Sequence, residues 1–141
     1  MRKADKVLHG SCSSVYINGE LDELASKIEV KMTGDFAEQS FCGDYATHYI
    51  YNGFSISGSM SDMKKDSALE LAIVKGYQTG IMPDVTLITV LKNPTTGKSE
   101  RWSLGGVVFT EVALANIEAK NAVARDLPFN CERATCLESI N

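Results

Sequence analysis

Cysteine and histidine are the residues through which this chain could hold a metal ion or build a nucleophile. The 141 residues include Cys12, Cys42, Cys131, Cys136, His9 and His48. Cys131 and Cys136 are separated by four residues, which is longer than the paired spacing of zinc ribbons. Neither histidine is spaced from a cysteine as metal ligands usually are. The sequence therefore predicts no metal and no cofactor, and the cysteines are interpreted as free thiols that pack as small buried or half-buried hydrophobic residues.

Acid–base catalysis needs a positioned carboxylate pair or a histidine, and the sequence indicates neither. Acidic residues are scattered, and Asp62 and Asp66 flank Lys64 and Lys65 in a pattern typical of a solvated helix start. His48 lies within a strand pattern, where a structural histidine is a simpler interpretation than a general base. The nucleophile elbow, the P-loop and the dinucleotide fingerprint do not occur in the sequence. We therefore expect no enzymatic activity.

Length and composition favour a single globular domain over residues 1–141. Hydrophobic residues make up 44% and charged residues 23% of the chain, which is ordinary for a protein with a packed core. The net charge of −4 argues against a protein whose main task is to grip nucleic acid. The basic stretch at 2–6 is followed by no apolar run, so we expect no signal peptide, no stable membrane association and a cytosolic site of assembly.

Strict alternation predicts a strand from residue 25 to 32 with one buried face. Its apolar positions are Ile28, Val30 and Met32, and its charged positions are Lys27, Glu29 and Lys31. A second strand is predicted over 47–60, where small hydroxyl residues alternate with apolar ones. The hydroxyl positions are Ser55, Ser57 and Ser59, and the large apolar positions are Phe54, Ile56 and Met60. Because solvent faces more often carry lysine or glutamate, the serine face suits a surface past which something slides.

The stretch between these strands, residues 33–44, has no clear period and is predicted to be a long loop. Loops of this length usually carry a function. Phe36 and Phe41 are apolar residues in a stretch otherwise suited to solvent, so we expect both to contact a neighbouring subunit. Tyr45, Tyr49 and Tyr51 share one face of the following strand and are interpreted as a packed face or a subunit contact.

One helix is predicted from about residue 67 to 77. Ser67 and Glu70 fit the capping-box pattern, with Asp66 as an alternative cap. A glycine, either Gly76 or Gly80, should end the helix.

The remainder of the chain is predicted to form strands. A short strand at 13–17 precedes a hairpin turn, and later strands are expected over 85–92, 99–104, 107–114 and 122–131. Ala124 and Asp126 lie on the polar face of the last strand. The fold class is therefore mainly β, with one short helix.

The order of these segments resembles the tail tube proteins of phage-like elements and of contractile R-type bacteriocins, including diffocin-like inner tubes. The resemblance extends from about Gly10 to Cys131 and rests on order and spacing, since no single motif is specific. The segments that carry it are Gly53-Phe54-Ser55-Ile56-Ser57-Gly58-Ser59-Met60, Lys64-Lys65-Asp66-Ser67, Val85-Thr86-Leu87-Ile88-Thr89-Val90-Leu91, Glu100-Arg101-Trp102-Ser103-Leu104, Val108-Phe109 and Leu127-Pro128-Phe129.

The resemblance implies a two-sheet sandwich or partial barrel flanked by one helix. It also implies hexameric rings that stack into a tube, with strands from each subunit joining one closed β-barrel around the lumen. The implied partners are a sheath protein and a baseplate or tube-initiator protein, with DNA only as passing cargo in a phage. Assembly is expected in the bacterial cytoplasm, followed by release within the particle.

On this basis we expect a defined set of residues to line the lumen, and the 33–44 loop to contact the adjacent ring. The lumen set is Lys27, Glu29, Lys31, Ser55, Ser57, Ser59, Ala124 and Asp126. The two lysines are unexpected in a conduit for DNA, unless the acids offset them or the tube carries no DNA. Two alternatives remain open, a monomeric β-barrel that binds a small ligand and a secreted hexameric ring of a tube-like secretion system.

Overall fold

The computed structural model describes residues 2–140, which form eight strands and one α-helix. Met1 and Asn141, the ends of the predicted domain, lie outside the described residues. The strands are β1 (Ser13–Ile17), β2 (Glu20–Leu21), β3 (Ala25–Ser40), β4 (Thr47–Met63), β5 (Val85–Lys92), β6 (Ser99–Phe109), β7 (Ala124–Cys131) and β8 (Arg133–Glu138). The helix α1 spans Ala68–Thr79.

The strands form two antiparallel sheets that share β6. The first, here the β1 sheet, contains β2, β1, β5, β6 and β8. The second, the β4 sheet, contains β3, β4, β7 and the last residues of β6. β6 passes from one sheet to the other after Gly106, whose φ of +65° is a conformation that favours glycine. This architecture confirms the predicted mainly-β, two-sheet fold with one flanking helix.

The core lies between the sheets and is built from alternate residues of their strands. Met60, Leu87 and Leu127 are completely buried, and Phe129 packs edge-on against Phe109 with ring centroids 6.1 Å apart. Burial of each such side chain contributes about 1.5–3 kcal/mol. The period-two pattern therefore fixes which face of each strand turns inward.

Helix α1 begins through a contact that differs from the predicted capping box, and it ends at one of the two predicted glycines. The backbone N–H of Ala68 donates to Asp66 Oδ1 at 3.3 Å, whereas Ser67 makes no side-chain cap. Glu70 binds basic side chains outside the helix, so it cannot complete the box. Gly80 ends the helix in the left-handed conformation with φ of +79°.

The prediction of a loop over residues 33–44 is wrong. β3 continues to Ser40 and pairs with β4 along its whole length, so that only residues 41–46 form the turn. These paired segments are exposed on both faces, and such strands show no alternation of apolar and polar residues.

Two strand boundaries and one additional strand at the C-terminal end also differ from the prediction. β6 ends at Phe109 and not near residue 114, and β7 begins at Ala124. β8, which the sequence reading missed, pairs with β6 and is exposed over most of its length.

Candidate assembly surfaces

All eight residues predicted to line a lumen project from one face of the β4 sheet. In the register of β3 and β4, Glu29 lies opposite Ser59 and Lys31 opposite Ser57. In the register of β4 and β7, Asp126 lies opposite Ser61. We call this surface the polar face, and its members are Lys27, Glu29, Lys31, Ser55, Ser57, Ser59, Ala124 and Asp126. Ser61 and Asn130 project from the same face by register but were absent from the predicted lumen set. Alternation along each strand would have been sufficient to include them.

The polar face carries balanced charge. Its two lysines, Lys27 and Lys31, stand against two acids, Glu29 and Asp126. Lys31 Nζ lies 2.9 Å from Glu29 Oε1, and this hydrogen bond lowers the pKa of Glu29 and raises the pKa of Lys31. Ser61 Oγ donates to Asp126 Oδ1 at 2.5 Å. The surface is therefore polar without a strong field of either sign.

Beyond the core, β3 and β4 project as a long hairpin, which we call the arm (residues 33–55). At Asp35 and Phe36 the register shifts, because Asn52 has no partner on β3. The shift turns Tyr51 toward the same side as Phe36, and their ring centroids lie 5.5 Å apart. Tyr49 follows on this side, so the apolar face of the β4 sheet continues along the arm.

This apolar side of the arm is exposed to solvent. Phe36, Tyr49 and Tyr51 are 56%, 64% and 58% exposed. Apart from the contact between Tyr51 and Phe36, these rings remain exposed within the subunit, and the subunit-contact interpretation stays a prediction. Contiguous exposed aromatic residues usually mark an interaction site.

The tip of the arm is held by a small polar network. Asp44 Oδ1 accepts from the backbone N–H of Ala46 at 2.9 Å, and Asp44 Oδ2 lies 2.6 Å from His48 Nε2. The hydrogen bond to His48 lowers the pKa of Asp44. Phe41 packs edge-on against the His48 ring at 5.3 Å. His48 therefore joins Asp44 and Phe41 at the tip, and Phe41 remains 54% exposed.

An apolar groove of about 660 Å³ opens between the two sheets at the base of the arm. Ile28, Met32 and Ile56 form one wall, and Leu91 and Trp102 form part of the other. The arm begins directly after Met32 and returns directly before Ile56. The groove and the apolar side of the arm are therefore continuous.

A buried charge cluster ties the helix to the β4 sheet. Arg125 Nε and Nη2 donate to the two oxygens of Asp62 at 2.8 and 2.5 Å, and Nη1 donates to Glu70 at 3.1 Å. Lys64 Nζ lies 2.8 Å from the second oxygen of Glu70. Asp62 is 2% exposed, so its interpretation as part of a solvated helix start is wrong. The pairing of Asp62 with Arg125, 63 residues apart, leaves no local sequence signal.

Asp22 adds a third carboxyl, beside those of Asp62 and Glu70, to this cluster. Burial, together with the hydrogen bond and negative charge of Asp62, raises the pKa of Asp22 to about 6. Burial also acts to raise the pKa of Asp62, but hydrogen bonds from Arg125 and Asp22 hold it below its usual value. Among residues 2–140 no group donates to the buried Oδ2 atom of Asp22, so the hydrogen bond between Asp22 and Asp62 requires a proton on Asp22 itself. The cluster is a structural support, since it lies away from both the polar face and the arm.

The four cysteines are free thiols that lie in different environments. Cys131 is buried, and burial raises the pKa of its thiol. Cys42 and Cys136 are exposed, which corrects their interpretation as packed residues. Within the described part of the chain no histidine, cysteine and carboxylate group could hold a metal ion. Over the same residues no helix is long and apolar enough to span a membrane.

Comparison with known protein families assigns the chain to a family through a match over nearly its whole length. The family model DUF2001, described as phage tail tube protein, matches residues 1–138. The chain therefore belongs to the phage tail tube protein family, which confirms the resemblance seen in the sequence. No curated protein matches the chain.

Solved structures share the fold at low sequence identity. The sheath–tube complex of the extracellular contractile injection system PVC contains a chain with TM-score 0.75 and 10% identity, covering 99% of both chains. The anti-feeding prophage tube-terminating cap gives TM-score 0.75 and 9% identity, covering 94% of this chain and 92% of that one. The SPP1 tail tube gives TM-score 0.68 and 12% identity, covering 96% and 81%. These likenesses show that this chain has the tail tube fold.

Proposed function

We propose that six copies of this chain form a ring and that rings stack into a hollow tube inside a contractile sheath. The observation that carries the proposal is the position of β3. This strand of 16 residues lies at the edge of the β4 sheet, and its outer side pairs with no strand among residues 2–140. A long unpaired edge promotes uncontrolled association, and closure into a barrel removes it. In a ring, β3 of one copy pairs with the opposite edge of the next copy's β4 sheet.

The polar face then lines the lumen. The apolar face of the β4 sheet is committed to the core, so the opposite face must meet water, and in a closed barrel that water fills the channel. The polar face carries two lysines, two acids and several serines. Because its charges balance, it neither traps nor repels a polyanion strongly. DNA is accordingly a passing cargo if the particle is a phage, and is absent if the particle is a bacteriocin.

The subunit acts as a structural element and not as an enzyme. Its proposed partners are further copies of itself, a sheath protein and a baseplate or tube-initiator protein. The PVC match comes from a sheath–tube complex, and another match, with TM-score 0.68, comes from the anti-feeding prophage baseplate, which supports these partners by analogy. Assembly in the bacterial cytoplasm and release in a phage tail or bacteriocin particle follow from the same proposal.

Labelling at Ser57 tests the lumen assignment. Two proteins with one accessible thiol each are needed, and both retain buried Cys131. One carries Ser57→Cys with Cys12, Cys42 and Cys136 replaced by serine. The matched control has Cys12 and Cys42 replaced by serine and keeps Cys136, which is exposed on β8 of the β1 sheet, as its accessible thiol. A maleimide polymer wider than the channel should label both free subunits.

In assembled tubes the two proteins should differ. We expect the polymer to label Cys136 and to leave the thiol introduced by Ser57→Cys unmodified except at the tube ends. Equal labelling of both positions in tubes would place the serines on the outer surface and contradict the assignment.

The groove favours one alternative, a monomeric β-sandwich that binds a small apolar ligand. Its walls, which include Val30, Leu91 and Trp102, suit such a ligand. A monomer at every concentration, with an apolar dye bound in the groove, would support this function over the tube.

A further inference from the structure

Two asparagines of this chain are each followed directly by glycine, and they lie in different settings. Asn18 precedes Gly19 at the turn between β1 and β2, and Asn52 precedes Gly53 within the arm. Asparagine is a chemically labile residue, because the backbone nitrogen of the next residue can attack its side-chain carbonyl carbon and expel ammonia. A following glycine favours this attack, since it has no Cβ atom in the way and a flexible backbone. Both dipeptides therefore have the composition of a spontaneous modification site.

The fold holds Asn18 in place. Its side-chain Oδ1 accepts from the backbone N–H of Thr86 at 2.9 Å, and its own backbone N–H donates to the carbonyl oxygen of Thr86 at 2.9 Å. Its φ of +52° is the left-handed conformation that this tight turn requires. The Asn18 side chain must leave Thr86 before its carbonyl carbon can meet the Gly19 nitrogen. Cyclisation at Asn18 is therefore opposed by the fold.

Asn52 has none of these restraints. It is the extra residue of the bulge in β4, it has no partner on β3, and it is exposed. No group among residues 2–140 forms a hydrogen bond with its side chain. Gly53 has a φ of +133°, and a Cβ atom added there would meet nothing within 4 Å. Because a Cβ atom at Gly19 would also meet nothing, the two sites differ in the restraint on the asparagine and not in the space around the glycine.

We propose that Asn52 is a site of spontaneous deamidation in the folded subunit. The Gly53 backbone nitrogen bonds to Cγ of Asn52, the Cγ–Nδ2 bond breaks, and the amide leaves as ammonia with the proton of the Gly53 nitrogen. Water then opens the succinimide ring at either of its carbonyl groups, which leaves aspartate or isoaspartate at position 52. Water is the one co-reactant. The inference concerns the free subunit and does not depend on the proposed tube.

The product changes the charge and the backbone of the arm. Residues 32–63 contain no lysine or arginine, so the new carboxylate has no basic side chain within its own segment. Gly53 pairs with Asp35, and the new charge therefore arises close in register to an existing acid. Isoaspartate also lengthens the backbone of β4 at the register shift that brings Tyr51 beside Phe36. The modification thus falls where the exposed aromatic pair of the arm is positioned.

Peptide mapping of aged protein tests the proposal. The subunit is kept at mildly alkaline pH and physiological temperature, at a concentration too low for assembly, and samples are digested with trypsin at mildly acidic pH. Asn52 is the one asparagine in the tryptic peptide 32–64, and Asn18 is the one asparagine in the peptide 7–27. Mass spectrometry therefore reports both sites from the same sample. Ageing in heavy-oxygen water marks the products that were formed by hydrolysis.

We expect Asn52 to deamidate at least about tenfold faster than Asn18 in the folded subunit, because the hydrogen bonds between Asn18 and Thr86 must break first. In urea the two rates should become similar, since both asparagines then precede glycine in a flexible chain. The variant Asn52→Gln should remove most of the gradual gain of negative charge that isoelectric focusing detects, because the longer glutamine side chain cyclises poorly.

Three results would overturn the inference. Equal rates at the two positions in the folded subunit would show that the contacts of Asn18 give no protection. An Asn52 peptide that stays intact in the folded subunit but deamidates in urea would show that the bulge protects the site. A ratio of rates as large in urea as in the folded subunit would assign the difference to the flanking residues and not to the structure. Each of these results leaves the proposed tube untouched, and a protein that forms no tubes leaves the inference about Asn52 untouched.

Discussion

Replacing Asp22 by asparagine should stabilise the free subunit at neutral pH. Asp22 has a pKa of about 6 in the folded protein against an ordinary value of 3.8, so the folded state binds the proton more tightly. Between these pH values the folded chain holds more protons than the unfolded chain, and stability falls as the pH rises through this window. Asparagine keeps the acceptor for the Leu24 N–H, which lies 3.2 Å from Oδ1, and its amide can donate toward Asp62.

The size of the effect follows from the pKa shift. A shift of about 2 pKa units corresponds to about 3 kcal/mol, and the partial exposure of Asp22 reduces this to about 1–2 kcal/mol at pH 7. Below pH 3.8 both states of the wild type are protonated, so the Asp22→Asn variant should gain little there. The free energy of unfolding, measured with urea at several pH values between about 3.5 and 7.5, reports the difference directly.

A second variant supplies a control of opposite sign. Asp62→Asn removes one of the two carboxylates that pair with Arg125 and should destabilise the subunit at pH 7 by about 3 kcal/mol, because the largely buried guanidinium keeps only Glu70 as a charged partner. If Asp22→Asn destabilises the protein at neutral pH, or stabilises it equally at acidic and neutral pH, then the cost of ionising Asp22 through its burial and its contact with Asp62 is the wrong description of this cluster.

Two further predictions concern packing and the arm. Gly58→Ala should lower the free energy of unfolding by about 2 kcal/mol or more, since a Cβ atom at this position would clash with the carbonyl oxygen of Glu29. Gly10→Ala, where nothing lies within 4 Å of the added atom, is its control and should have little effect in the same urea titration. The double variant Phe36→Ser and Phe41→Ser should keep the melting temperature of the free subunit, because both rings are more than half exposed, and should lose tube formation in sedimentation. Stacked tubes of normal stability from this double variant would remove the arm from the assembly contacts.

The polar face could be predicted from the sequence because strand geometry fixes it. Once Ile28 and Met60 are committed to the core, their immediate neighbours must project from the opposite side of the sheet. Alternation therefore separated Lys31, Ser57 and Asp126 from the core-facing residues of their strands, and the resemblance to tail tube proteins placed the three on one wall. Whether this surface lines a channel depends on other subunits, and no periodicity within one chain carries that information.

The arm and the charge cluster could not be predicted for different reasons. Alternation is a signal of one-sided burial, and the distal halves of β3 and β4 have no buried side within the subunit. Phe36 and Tyr51 therefore looked irregular in sequence, although they face each other in the hairpin. The cluster joins Asp62 and Glu70 to Arg125 through tertiary contacts, and the local pattern of charges around Asp62 is the same as that of a solvated segment.

Electron cryomicroscopy of the purified, assembled protein tests the central claim most directly. The account predicts hollow tubes built from six-fold rings, in which β3 of one subunit pairs with the neighbouring subunit and the polar face of the β4 sheet lines the channel. Tubes whose channel is lined by the β1 sheet, or compact monomers at every protein concentration, would contradict it.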